Sequence, residues 1–532
     1  MKKIMKMLAS AAIVSIVVSL YACRSGQGAE TNGTAPNILF VIADDQSFPH
    51  ASAYGRSEFH TPNFDRVAKK GVLFMNAFVA APQCSPSRAA ILTGRHIWEL
   101  EEAGTHSSYF PKKFSVFTDV LEGSEYFVGF TGKGWGPGNW KDAGWKRNPA
   151  GEDYSKLTFE QVPASGISKV DYASNFEMFL KAKPAGKPFF FWFGAHEPHR
   201  VYEYGSGRKA FPDAQDPKLP AFLPENDSVT TDWLDYAREI AWYDEQLGKM
   251  LDFLERSGQL DNTLVVVTAD NGMSFPYAKA NLQEYGIHVP LAISGPGVDG
   301  GRRTEQLVSL IDLTPTFLDF AGAPSMAGME GRSLVSLLKG DDPGTTDSAR
   351  AIFAGRERHT HARPDNTGYP ARAIRTSQYL YIWNMKPERW PAGDPPPSQQ
   401  PRDIPADLKR VEVGYEDVDD SPSKRFMLQN RDRWPGLYTL SFAKRAESQL
   451  YDIQADPECM HDLSADERYA TVRKELHQRL LEKLTEDRDP RVMGTGDIFD
   501  SYPRFGGMRA FDGFRKKGEY NPGFEAAGKE NQ

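Results

Sequence analysis

Four apolar runs, each too short to span a membrane as a helix and each ending in residues that do chemistry, constrain this chain most. NILFVIA (37–43) runs into Asp44-Asp45 and YFVGFT (126–131) into Gly132-Lys133. PFFFWFGA (188–195) runs into His196-Glu197-Pro198-His199, and TLVVVTA (263–269) into Asp270-Asn271-Gly272. Runs without polar alternation are strands covered on both faces, which predicts a large, mostly parallel sheet flanked by helices, an α/β fold. PLAIS (290–294) and AIFAG (351–355) read as further buried strands, and amphipathic stretches at 231–258 and 310–322 supply flanking helices. In open sheets of this kind ligands lie beyond the carboxyl ends of the strands. The four runs therefore predict acids, a lysine and histidines facing one crevice.

After residue 375 the pattern changes. WPAGDPPPSQQPRDIP (390–405) is a proline-rich loop, YLYIWN (379–384) and SQLYDI (448–453) read as antiparallel strands, and 466–487 as a long amphipathic helix. The expected organisation is a catalytic domain over 36–375, a smaller C-terminal α+β subdomain with a short antiparallel sheet over 376–504, and an irregular tail over 505–532. Residues 1–23 read as an export signal: MKKIMK supplies positive charge, MLASAAIVSIVVSL the apolar stretch, and LYAC the ending at Cys23. That ending resembles a bacterial lipobox, which implies lipid attachment at Cys23 and an exported lipoprotein, periplasmic or on the cell surface. An ordinary signal peptide is the alternative. Residues 24–35, RSGQGAETNGTA, suit a tether.

Composition matters at two points. The net charge of −8 argues against nucleic acid as a partner, while leaving the local charge of a cleft to decide on small anions. Three cysteines do not make a disulfide framework. With Cys23 committed to lipid, Cys84 and Cys459 need another account, a bond between them being the alternative.

Cys84 lies in APQCSPSRAAILTGRH (81–96). Ser85 suits an N-cap, Pro86 a first helical position, and the helix runs to Gly94. Cys84 is thus expected just outside a helix N-terminus, where free N–H groups favour anions. With Arg88 nearby, that setting is also expected to lower the thiol pKa. Asp44, Asp45, Asp270 and Asn271 offer only hard oxygen donors, which point to Ca²⁺, with Mg²⁺ second, rather than Zn²⁺. A lone Asp-Asp at a strand end is often a solvated turn; two such pairs after buried strands of one sheet are not so easily explained.

CSPSRAAILTG resembles the signature of the type I, formylglycine-dependent sulfatases. NILFVIADDQ is similar to that family's metal-binding start, TADNG to its distal metal pair and PFFFWFGAHEPH to its histidine strand, in the family's order over nearly all of 36–490. The resemblance implies an alkaline-phosphatase-like fold and oxidation of Cys84 to formylglycine by a separate maturating enzyme. The hydrated aldehyde would then attack sulfur and afterwards expel sulfate. It further implies that Asp44, Asp45, Asp270, Asn271 and the modified Cys84 hold the cation. Arg88, Lys133 and Lys279 would neutralise the sulfuryl and formylglycine oxygens, and His196 would protonate the leaving group.

One departure is that GKGW places Trp135 where the family has a histidine that helps regenerate the aldehyde. Trp135 is expected instead to wall the pocket and stack on a sugar. SFPYAKANLQEYGIHVPL and HEPHR, with His199, most resemble the heparan N-sulfoglucosamine sulfohydrolases, and GRERHTHARPDNTGYPARAIRT (355–376) is similar to their substrate loop, which makes His199, Arg356, His359 and Arg372 candidates for gripping substrate anions. The implied activity is hydrolysis of sulfate esters or N-sulfates of a sulfated glycan or glycosaminoglycan. Two alternatives stand beside it: a phosphodiesterase or phosphonate hydrolase of the same superfamily, and a glycan-binding lipoprotein with an impaired site, which Trp135 alone favours.

Overall fold

A computed structural model describes residues 35–212, 217–341, 349–395 and 414–505. The expected signal, lipidated Cys23 and tether fall outside these residues, as do most of the proline-rich loop and of the tail. No helix among the described residues is long and apolar enough to cross a membrane.

Eight strands form the main sheet: β1 (Asn37–Ala43), β2 (Val72–Phe78), β3 (Phe127–Gly132), β4 (Glu152–Asp153), β5 (Phe189–Gly194), β6 (Thr263–Ala269), β7 (His288–Ser294) and β8 (Arg302–Ser309). Their order is β4-β3-β5-β1-β6-β7-β2-β8. The four runs that define the sequence are the adjacent strands β3, β5, β1 and β6, all parallel to one another. Their ends are level: Gly132 pairs with Gly194, Gly194 with Ile42, and Ala43 with Ala269. This register carries Lys133, His196, Asp44 and Asp270 off the sheet at one edge. The sheet is mixed rather than uniform, because β7 runs antiparallel to both β6 and β2.

Burial on both faces explains the apolar runs: every residue of β1, β5, β6 and β7 is buried. The 30-residue helix Asp227–Arg256, capped by the Asn226 side chain, buries one long face. The helix Leu313–Ala321 carries Phe317 onto Phe40 and Phe190, with ring centroids 5.3 and 5.7 Å apart. Phe40 also meets Trp192 edge-on at 4.8 Å. Each such aromatic burial contributes about 1.5–3 kcal/mol.

A four-stranded antiparallel sheet follows, made of β9 (Ile352–Arg356), β10 (Ala371–Arg375), β11 (Tyr379–Asn384) and β12 (Ser448–Asp452), in the order β12-β11-β10-β9. AIFAG, expected in the main sheet, is β9 of this smaller one. Two of its strands precede residue 376, so sheet membership does not follow the expected division at 375/376. The long helix at Ala470–Glu486 packs against β10 and β11.

Candidate active site

Cys84 opens a ten-residue helix, Cys84–Thr93, with Gln83 at its N-cap and Gly94 closing it in the left-handed region at φ 69°. This corrects the expectation that Ser85 caps the helix from outside. The Ser85 hydroxyl instead accepts from the Ser107 N–H at 3.0 Å, tying the helix start to a neighbouring loop. Cys84 is 1% exposed, and its Sγ lies 3.3 Å from Asp44 Oδ1 and 3.9 Å from Asp45 Oδ1. The expected low thiol pKa is also corrected: burial and then the Asp44 carboxylate push it well above 9.0, outweighing Lys133 and Lys279. An unmodified thiol here is a poor nucleophile. Cys459, also buried, is a free thiol like Cys84, so the two are not bonded.

Four strand ends build the surroundings. Asp44, Asp45, Cys84 and Asp270 are all buried, and each contributes one donor atom to a cluster lying within 4.8 Å. Asp45 adopts φ 73°, an unfavourable value for a non-glycine residue, and its N–H donates to Asp270 Oδ1 at 3.1 Å. Asn271 sits fully buried beside them, its Nδ2 donating to Asp45 Oδ1 at 2.8 Å while its Oδ1 has no partner. A buried orphan acceptor costs about 1–3 kcal/mol, and a cation among these oxygens relieves it. Burial and the neighbouring Asp44 push Asp270 up to about 7 in spite of its 2.7 Å contact with Arg88, a sign of crowded carboxylates short of positive charge. The donor set therefore fits a hard divalent cation.

Three cations complete the site. Arg88, fully buried, spends Nε on Asp270 and NH1 on the Lys133 and Gly134 carbonyls at 2.6 and 3.1 Å, leaving NH2 unpartnered. Lys133 Nζ is 2.6 Å from Asp44 Oδ2, and Lys279 Nζ 2.6 Å from Asp45 Oδ2. Although burial pushes Asp44 up, Lys133, His199 and Arg88 hold it well below 3.8. Burial would lower Lys279, but Asp419 and Asp45 keep it protonated.

Two glycines permit the close approach. A Cβ at Gly194 would lie 1.8 Å from the Lys133 carbonyl, and one at Gly132, where φ is +74°, 2.2 Å from the Gly194 carbonyl. Trp192 Nε1 donates to that same Lys133 carbonyl at 3.2 Å, linking the aromatic core to the site.

His196 keeps an exposed edge on the cleft. Loss of solvation among the cleft walls, and next the Lys133 ammonium, draw it down to about 4. Its backbone N–H donates to the Tyr172 hydroxyl at 3.1 Å, which itself donates to Glu197 Oε2 at 2.9 Å; the Glu197 carbonyl accepts from the Asp44 N–H at 3.0 Å. His199 Nε2 stands 3.9 Å from Asp45 Oδ2. A cleft of about 940 Å³ opens over Asp44, Lys133, His196 and His199.

The other expected substrate residues lie elsewhere. Arg372 is fully buried and bound to Asp489 at 2.6 Å and Glu357 at 2.8 Å, with its remaining donors on the Arg356 and Ala371 carbonyls. Arg356 is 1% exposed and pairs with Asp417 at 3.0 Å; His359 Nδ1 lies 3.6 Å from the same carboxylate. None of the three lines the cleft. Trp135 does, but at 2% exposure it offers no face for a sugar, and its Nε1 donates to the Ser85 carbonyl at 3.0 Å.

Sequence reasoning missed Tyr172, Glu197 and Asp419. Glu197 was visible in HEPH without a role, whereas Tyr172 and Asp419, which bonds Ser274 Oγ at 2.6 Å and faces Lys279 at 3.4 Å, belong to no motif.

Comparisons with known proteins place the chain among sulfatases. The sulfatase family model matches residues 36–323, and the model for the C-terminal region of N-sulphoglucosamine sulphohydrolase matches 274–392. An ulvan-active sulfatase of Formosa agariphila is 27% identical, covering 87% of this chain and 81% of its own. The human N-sulphoglucosamine sulphohydrolase is 26% identical, covering 87% of this chain and 93% of its own. A solved structure in complex with its substrate, D-glucosamine-2-N,6-O-disulfate, shares the fold with a TM-score of 0.60 at 20% identity, covering 86% of this chain and 98% of that one. The chain belongs to the sulfatase family and is a hydrolase of sulfuric esters or N-sulfates.

Proposed function

We propose that the protein removes sulfate from a sulfated saccharide of glycosaminoglycan type, using a formylglycine at Cys84 and a hard divalent cation, Ca²⁺ or Mg²⁺. The observation that carries this reading is the convergence on one buried cysteine of three carboxylates, an orphaned amide oxygen and three cations. Relatives that act on ulvan and on N-sulphoglucosamine support the substrate class.

Asp44, Asp45, Asp270 and Asn271 would hold the cation beside position 84. When present, formylglycine supplies a hydrated aldehyde as nucleophile and the cation supplies polarising positive charge. The chain's own residues do the rest. The Arg88 and Lys133 cations, the Lys279 ammonium and the helix N-terminus would neutralise the anion that meets position 84 at the floor of the cleft. His196 is neutral in the free protein at pH 7, and a bound sulfate raises its affinity for the proton it passes to the leaving oxygen or nitrogen. Tyr172 holds the His196 backbone while Glu197 holds that of Asp44, so proton donor and cation ligand share one support. The N-terminal signal and lipobox-like LYAC support a secreted, membrane-anchored location, matured by a formylglycine-generating enzyme.

Peptide mass spectrometry of natively expressed protein tests the nucleophile. Conversion of the Cys84 thiol to an aldehyde lowers the peptide mass by about 18 Da, and the converted protein is expected to release sulfate from sulfated saccharides. An unconverted, alkylatable Cys84 in active protein overturns the reading. Faster turnover of phosphate diesters than of matched sulfates overturns the substrate assignment.

A further inference from the structure

The loop 135–148 carries cationic side chains into the cleft on a rigid frame. Its first residue is pinned by the Trp135 indole on the Ser85 carbonyl at 3.0 Å, directly beside Cys84. Asn148 clamps the two ends together: its Oδ1 accepts from the Trp135 N–H at 2.9 Å and its Nδ2 donates to the Trp135 carbonyl at 2.9 Å. Midway, the buried Trp145 donates from Nε1 to the Phe110 carbonyl at 2.7 Å, and the Asn139 N–H donates to the Ser108 carbonyl at 2.9 Å. Between these anchors Trp140, Lys141 and Lys146 line the same cleft as Lys133 and His196.

Both lysines are exposed, and among the described residues neither has a carboxylate within ion-pair distance. Lys141 Nζ stands 5.4 Å from the Trp140 ring centroid. The other cleft cations are spent: Lys133 on Asp44, Arg147 on Asp119 and Glu122, and Arg200 on Asp232. The cleft's acids beyond Asp44 are Glu152 and Asp153 on β4. Among the lysines and arginines that line the cleft, Lys141 and Lys146 are thus the two outside any ion pair with a described residue. A hydrogen-bonded loop leaves little backbone to order when an anion binds, so the remaining entropic cost falls on the lysine side chains.

We infer that Trp140, Lys141 and Lys146 form a specificity subsite for a second anionic group on the saccharide, a sulfate or a carboxylate, beyond the sulfate being cleaved. This rests on the sulfatase reading of the cleft and adds to it the requirement for a polyanionic substrate.

The test compares full-length Cys84→Ala protein with and without Lys141→Gln/Lys146→Gln, using calorimetric binding of three disaccharides: one with a single sulfate, one with a second sulfate, and one with a sulfate and a uronate carboxylate. Two screened ion pairs predict that the second anion tightens binding about 5–20-fold and that the double substitution removes most of this gain. The gain is also expected to shrink with added salt. The second-sulfate and uronate arms identify which anion the subsite prefers. In matured protein, the ratio of kcat/KM on doubly to singly anionic substrate should fall by the same factor. A gain that survives the double substitution, or a second anion that never tightens binding, overturns the subsite. Matured protein without the substitutions that releases no sulfate from any substrate overturns the sulfatase reading instead, and the binding comparison still decides the subsite.

Discussion

Two buried charge clusters in this protein, each pairing arginine with carboxylates, behave in opposite ways. Around Cys84, three carboxylates and three cations crowd together and still leave Asn271 Oδ1 and Arg88 NH2 without partners. Around Arg372, the Asp489 and Glu357 carboxylates and two backbone carbonyls take up the whole guanidinium. Arg491 adds a second arginine to Glu357 at 2.7 Å. The first cluster opens on the cleft and the second is sealed beside the small sheet. Buried groups left unsatisfied beside a cleft leave room for a ligand, whereas satisfied ones enclosed by protein staple the fold.

That contrast can be broken by substitution on either side. Asp45→Ala should lower sulfate release by about a thousandfold or more, since it removes both a cation ligand and the partner of Lys279. Thermal unfolding should show that the fold survives, and added Ca²⁺ should raise Tm in the natural protein but not in the variant. An active Asp45→Ala enzyme would end the comparison in its present form. On the other side, Arg372→Met strands two buried carboxylates and should cost about 3–5 kcal/mol, read as a fall in unfolding free energy. The fraction that folds should keep its KM, because Arg372 does not line the cleft; a raised KM with unchanged stability would return Arg372 to the substrate.

Glu239 sharpens the contrast from a third position, with a smaller effect. Its carboxyl is fully buried, neither oxygen has a partner, and burial followed by the Glu197 charge pushes its pKa up to about 9 from 4.5. Below pH 4.5 the carboxyl is protonated whether the chain is folded or not, so it has no effect on stability. Between 4.5 and 9 the unfolded chain ionises while the folded one resists, so stability falls as pH rises. Glu239→Gln mimics the protonated form. It should raise Tm by about 2–5 °C at pH 8 and scarcely at pH 4, measured by scanning calorimetry at both values.

Much of the catalytic centre was legible because strand ends advertise themselves. A two-sided apolar strand has no polar residue to spare, so the first acids, lysine or histidines after it stand out, and parallel pairing sets them side by side. The substrate side was not legible in the same way. Arg356, His359 and Arg372 sit in a polar stretch that reads as surface, and only packing shows that Asp417, Asp489 and Glu357, the first two of them far away in the chain, enclose them. Trp135 occupied a motif position where its indole suggested a sugar platform, yet its single donor finds the Ser85 carbonyl and its ring packs edge-on against Phe110 at 5.1 Å. The thiol of Cys84 departs from its expected pKa for a related reason: a helix start and an arginine are local features, but burial and then the Asp44 carboxylate at the end of β1, which together raise it, come from the fold.

By itself the sequence determined the α/β class, the apolar strands of the central sheet, and which residue types meet at their ends, because periodicity and short-range backbone chemistry decide these. Only the tertiary structure decided which charges are spent and which are free. That depends on partners hundreds of residues apart in the chain, as with Arg88 and Asp270 or Lys279 and Asp45, and on the burial that makes each pairing matter.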